Sequence, residues 1–343
     1  MGPLLRVIGR YAARAAITSC LLLGMGWLSL VVWFHLPTGA GLNTVATACF
    51  VGLCLLALCP RRWRAVRWAR WGAAIYGVVI LVGWASLRPS NDRHWAPDVA
   101  RALRATVSGS NVRLSNVRNF RWTGEETANE AWVTRDYDLD HITAVDLALS
   151  YWMGPAIAHT LVSFEFDDGR HLVFSSEIRR EEGESFSALG GFVRRFESAL
   201  VAAEEGDILR VRTNFRGETM HLYRLEMPPE ARRALFLGYL EQAAELERKP
   251  RFYNTLTSNC TTIVFDLMRK ISPGLPSDPR ILLSGYLDRY AYDEHGLAPG
   301  FSFRELRDRG DITQRARAAG DAEDFSRQIR VGVPGMDGAR DGH

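Results

Sequence analysis

The chain has 343 residues, 47% hydrophobic and 24% charged, a composition that supports a packed core and excludes a mostly disordered protein. Its net charge of +3 hides an asymmetry: the first 91 residues hold nine arginines and no Asp or Glu, which leaves 33 basic residues against all 39 acidic ones in the remainder. That larger part is net acidic, so no nucleic-acid partner is expected.

Three uncharged apolar runs come first, at 15–36, 42–58 and 72–87. A helix crosses a bilayer with about 20 apolar residues, and about 17 suffice, so each run is expected to span. Trp71 and Trp84 extend the third into the headgroup level, where aromatic rings are favoured. The first run is long and is followed by further apolar segments, which argues for an anchor and against a cleaved signal peptide. Arg6, Arg10 and Arg14 precede it, and Arg61, Arg62, Arg64, Arg67 and Arg70 fill the second connection, whereas 37–41 carries no charge. Short arginine-rich loops stay cytoplasmic. The third span then runs outward, residues 1–90 are an anchor whose partner is the lipid bilayer, and the rest lies outside the cytoplasm.

Residues 91–330 are expected to form one domain, with a loose tail at 331–343 rich in Gly, Asp and Arg. Strand patterns occur at 111–119, 132–139, 158–166, 171–179, 208–215 and 219–227. Helices are predicted over 228–247, where Pro229 and Glu230 suit a first turn, and from Cys260 onward. Strands followed by helices, without regular alternation, indicate an α+β fold.

The hairpin 158–177 carries the first chemical clue. Asp167-Asp168-Gly169 is a three-residue connection with Gly where a left-handed conformation is needed. Pairing Phe166 with Arg170 then sets Val162 opposite Phe174, Phe164 opposite Leu172 and, on the other face, His159 opposite Glu177. A carboxylate beside an imidazole fixes its tautomer and frees the other nitrogen as a base; an ordinary solvated polar face would look the same. The second clue is Cys260, apart from Cys20, Cys49, Cys54 and Cys59 of the apolar region. Ser258 or Asn259 can cap a helix in whose first turn Cys260 sits, and backbone N–H groups there favour a thiolate. A small core residue is the alternative, but an unpaired thiol in an oxidising compartment favours function.

The runs His159-Thr160-Leu161-Val162-Ser163-Phe164, Glu177-Ile178-Arg179-Arg180-Glu181 and Phe252-Tyr253-Asn254-Thr255-Leu256-Thr257-Ser258-Asn259-Cys260-Thr261-Thr262 resemble the bacterial family named for the Lnb N-terminal periplasmic domain. The resemblance implies a permuted papain-like (NlpC/P60-like) fold, with an antiparallel sheet whose His strand precedes the Cys helix. It implies Cys260 as nucleophile and His159 as base; Glu177 matches a polar residue on the next strand, and its place as the third catalytic residue rests on the hairpin register. Asn259, Arg179 and Asn254 are expected to support the substrate, the oxyanion or the local structure. The implied activity is that of a thiol-dependent acyltransferase or hydrolase acting on lipoprotein or phospholipid acyl groups, with no cofactor and no metal. The same residues would serve an amidohydrolase or peptidase of cell-wall peptides, or a non-catalytic envelope scaffold that has kept the fold.

Overall fold

The computed structural model describes residues 3–36, 39–59 and 64–336. They divide into two compact units, Met1–Pro89 with Phe186–Phe196, and Ser90–Ser185 with Glu197–His343. In the first unit, helices α1 (Pro3–His35), α2 (Ala40–Leu58) and α3 (Arg64–Ser86) include three segments long and apolar enough to cross a membrane, Ile8–His35, Gly41–Leu58 and Arg64–Ser86. Large apolar side chains face outward, Leu23 at 74% and Val82 at 62% exposure, a surface that suits lipid and not water. The helices outrun the apolar stretches because their arginine-bearing flanks are good helix formers. Arg70 bonds the last carbonyls of α2, Ala57 O at 2.8 Å and Cys59 O at 2.9 Å, where a cation also meets the negative end of the helix dipole. Arg61 and Arg62 lie outside the described residues.

The second unit is α+β. Its strands are β1 (Arg104–Ser108), β2 (Asn111–Arg118), β3 (Arg121–Trp122), β4 (Ala128–Asn129), β5 (Trp132–Asp138), β6 (Ile142–Tyr151), β7 (Ala158–Phe166), β8 (His171–Arg179), β9 (Glu197–Glu204) and β10 (Thr219–Arg224). Eight of them make one sheet in the order β1-β2-β9-β8-β7-β6-β10, with β5 paired to β2, and β3 and β4 pair separately. Neighbours are antiparallel except β2 and β9, which run parallel. The β7–β8 hairpin has the register anticipated from its turn, Val162 opposite Phe174 and Phe164 opposite Leu172, and Gly169 takes a φ of 82° in that turn.

Because side chains alternate along a strand, this register sends Val162, Phe164, Phe166, Leu172 and Phe174 to one face. There they pack on α5 (Pro229–Arg248) and α6 (Cys260–Ile271) through Leu235, Phe236, Tyr239, Ile263 and Leu267. Leu161 and Val173 point to the opposite face, covered by α4 (Glu205–Arg210), α9 (Thr313–Ala319) and α10 (Phe325–Arg330) through Ile208, Leu209, Ala316 and Ile329. Between α6 and α9 lie α7 (Leu287–Asp293) and α8 (Phe303–Gly310), which close the β6–β10 end of the sheet with Leu287, Tyr290 and Leu306.

Three expectations require correction. The strand expected at 208–215 is the second half of α4 followed by a π-helical turn, Val211–Phe215. Alternating apolar residues there suggested a strand, but Asp207 accepts from Arg118, Phe120 N and Trp122 Nε1, and this buried anchor favours a helix with acidic residues in its first turn. Strands β1, β6 and β9 were not anticipated; β6 is buried on both faces and so lacks the alternation that marks a half-exposed strand. Within the expected loose tail Val333 is buried in the second cluster and Met336 packs on it, while 337–343 lie outside the described residues.

Candidate active site

Helix α6 starts at Cys260 because Asn259 caps it. The Asn259 carboxamide oxygen accepts from Thr261 N at 3.0 Å and Thr262 N at 2.8 Å, and Thr262 Oγ1 accepts from Asn259 N at 2.9 Å, a reciprocal capping box. The same carboxamide donates to Thr255 O at 2.7 Å. Asn254 folds the preceding turn, its side-chain oxygen accepting from Leu256 N and Thr257 N. Both asparagines therefore shape the loop that presents the thiol. Thr261, fully buried, meets Thr160 of β7 through their hydroxyls at 3.0 Å, which seats the helix mouth on the strand beside His159.

That seating joins the two residues singled out from the sequence. The His159 imidazole and the Thr160 backbone N–H both lie close enough to the Cys260 sulfur to favour its thiolate, and the sulfur is 3.9 Å from Thr261 Oγ1. His159 Nε2 is 2.7 Å from Ser175 Oγ and 3.3 Å from Glu177 Oε1. Ser175 spends its single hydrogen on Glu177 Oε1 at 2.7 Å, so Nε2–H is the donor to Ser175. Arg212 Nη2 also donates to Glu177 Oε1, at 2.8 Å. His159 and Glu177 side chains keep 16% and 17% exposure, so the row is within reach of solvent.

The charges sustain one another. Burial is the largest influence on His159 and disfavours its cation, yet the Glu177 carboxylate and the Cys260 sulfur outweigh it and raise the imidazole from 6.5 to about 9. Burial likewise pushes the Cys260 thiol up, but the imidazolium, its hydrogen bond and the Thr160 N–H bring it below the ordinary thiol value. Glu177 stays well below the usual carboxylate range against its own burial, held by His159, Arg212 and Ser175. The arrangement favours a thiolate–imidazolium pair near neutral pH, the reactive form of a cysteine nucleophile.

Arg179 lies elsewhere. Its guanidinium donates to Val99 O, Ala100 O and Asn91 Oδ1 and covers the Trp95 ring at 4.6 Å, so it pins the segment entering the domain against β8. Four contributors escaped the sequence reading. Ser175 shares the face of Glu177 two positions earlier, a signal that strand alternation carries. Thr160 contributes its backbone N–H beside the sulfur and its hydroxyl to Thr261. Arg212 projects from the π-helical turn, which had been read as strand. Tyr253, inside the cysteine motif, is half-buried with its hydroxyl near the Cys260 backbone.

A cysteine at a helix mouth, an imidazole on a neighbouring strand and a carboxylate beside it, on a domain tethered by membrane helices, define a membrane-anchored α+β protein with a Cys–His–Glu row. Residues 128–285 match the family model of the Lnb N-terminal periplasmic domain, a stretch that contains His159, Ser175, Glu177, Arg212, Tyr253 and Cys260. The chain therefore carries an Lnb N-terminal periplasmic domain and is a multi-pass membrane protein with that domain in the periplasm. No curated protein and no solved structure matches it.

Proposed function

We propose that this protein is a thiol-dependent acyltransferase or hydrolase acting on lipoprotein or phospholipid acyl groups at the outer face of the inner membrane, with a permuted papain-like (NlpC/P60-like) arrangement of its site. One observation carries the reading: the Cys260 sulfur, at the start of α6, lies beside an imidazole whose Nε2 is held by Ser175 and Glu177. In this mechanism the Cys260 thiolate attacks an ester carbonyl carbon and forms a C–S bond. His159 then gives its proton to the departing alkoxide as the ester C–O bond breaks. An amine or water attacks the resulting thioester, returns a proton to His159, and expels the thiolate. The Cys260 N–H would serve the developing oxyanion, with the nearby Tyr253 hydroxyl as a second donor; loss of one such donor costs roughly 10²–10³ in rate.

Apolar side chains on the loops leading into the site support an acyl substrate over a cell-wall peptide. Trp152 and Met153 are 40% and 55% exposed on the loop ahead of His159, and Leu256 is 51% exposed four positions before Cys260. Leu282 and Leu283, also exposed, belong to the turn whose Ser284 and Gly285 bond to Ala158 N and Ala156 O of that same loop. Exposed apolar clusters of this kind mark lipid or ligand contact. The test compares acyl release and transfer by full-length wild type and Cys260→Ala on diacylated lipoprotein, phospholipid and soluble muropeptide. Equal turnover on the lipid substrates by both chains removes the thiol from the mechanism, and turnover of muropeptide alone replaces the substrate class.

A further inference from the structure

The connection between β8 and β9 contains residues Phe186–Phe196, which belong to the same compact unit as the membrane helices. Within that unit the segment is built in. Trp27 Nε1 donates to Phe192 O and Trp84 Nε1 to Val193 O, each at 3.1 Å, and His35 Nε2 lies 2.7 Å from Val193 O. The two indoles meet edge to face at 4.8 Å, Arg195 donates to Phe34 O at the end of α1, and the Arg194 guanidinium lies 3.9 Å over the Trp84 ring. Val193 and Phe196 are buried, and a Cβ on Gly190 would fall 2.7 Å from the Phe196 ring, so the turn at Gly190–Phe192 packs without slack.

Indole N–H groups at the ends of spanning helices ordinarily bond to water or lipid headgroups. Here the indole of Trp84, two residues before the end of α3, and the ring of His35, the last residue of α1, meet Val193 O, which sets this segment at the outer ends of α1 and α3. At that level it turns outward two large apolar side chains, Phe186 at 54% and Leu189 at 52% exposure. The segment holds no acidic residue, and neither do residues 1–89. A surface continuous with spanning helices, apolar at its tip and free of carboxylates, fits lipid.

We infer that Phe186–Phe196 is an interfacial segment whose Phe186 and Leu189 insert among the acyl chains of the outer leaflet, so that the strand bearing Glu177 runs on into a second membrane attachment besides the three helices. This holds whether or not the thiol is catalytic.

The experiment uses the full chain in vesicles of phosphatidylethanolamine and phosphatidylglycerol, with p-benzoylphenylalanine replacing Phe186, Leu189 or, as control, Asp168 of the charged β7–β8 turn. After irradiation, mass spectrometry is expected to find phospholipid adducts at 186 and 189 and none at 168. Absence of lipid adducts at 186 and 189 in chains that accumulate normally overturns the inference. Hydroxyl-radical footprinting of the wild type is the second readout. Phe186 is expected to be protected in vesicles although Val107 and Val331, 47% and 63% exposed, are modified. Modification of the phenylalanine at or above the rate of those valines overturns the inference independently.

Discussion

Replacing Glu177 with Gln keeps the shape of the row and removes the charge that holds the imidazolium. His159 is raised from 6.5 to about 9, which at 1.36 kcal/mol per pH unit is about 3 kcal/mol in favour of the protonated ring, net of burial. Glu177 is the largest favourable contributor to that balance, so without it the burial that opposes the cation prevails and the ring should lose its proton about two pH units lower or more. The sign is explicit. The ion pair exists between the lowered pKa of Cys260 and the raised pKa of His159; loss of Glu177 lowers the upper limit and, by weakening the thiolate's counter-charge, raises the lower one. The assay is alkylation of Cys260 by iodoacetamide from pH 5 to 10, followed on the peptide containing Cys260 so that Cys20, Cys49, Cys54 and Cys59 do not interfere. At pH 6 the rate in Glu177→Gln should fall on the order of tenfold, since one pH unit on the titration limb is a factor of ten in thiolate. Superimposable profiles for the two chains would refute the coupling of Glu177 to the thiol.

Other substitutions probe the supports of the row. Asn259→Ala removes the α6 cap and should cost about 1 kcal/mol of stability, read as a lower thermal midpoint, with slower Cys260 alkylation because the first turn frays. Gly285→Ala would place a Cβ 2.2 Å from Pro155 O, displacing the loop that leads into His159; turnover should fall while circular dichroism stays that of the wild type. Arg330 bridges Asp146 and Glu205 at 2.6–2.8 Å in the second core, so Arg330→Met removes their shared cation and leaves buried Asp146 to Arg224 and buried Glu205 to the Ser163 hydroxyl. It should destabilise by about 3–5 kcal/mol in denaturant titrations, and a change under 1 kcal/mol would show that the network contributes little. Phe236, fully buried against Phe164, Phe166, Phe174 and Tyr137, should cost about 3–5 kcal/mol as Phe236→Ala.

Several of these features are local and could be read in the chain itself. Apolar content over about 20 residues decides whether a helix can cross a bilayer, so the three spans appear as composition, and the arginine distribution orients them. The β7–β8 register follows from the length and glycine of one turn, which is why the opposition of His159 and Glu177 could be anticipated at all. The cap at Asn259 is a short-range signal as well, as are the start of α5 at Pro229 and the strand at Asn111–Arg118.

Tertiary structure decided the rest, because partners far apart along the chain are chosen by packing and not by periodicity. A helix mouth must be seated on a strand, here through Thr261 and Thr160, before Cys260 can meet His159. Residues 208–215 alternate like a strand, yet the buried Asp207 anchor winds them into a helix and π-turn and so delivers Arg212 to Glu177. Strand β6 is buried on both faces, Asp146 and Ser150 included, and acquires its place between β7 and β10 only from the partners that bury it. Local chemistry thus set which side chains could react and which segments could enter lipid, while the long-range fold alone brought sulfur, imidazole, hydroxyl and carboxylate into one row.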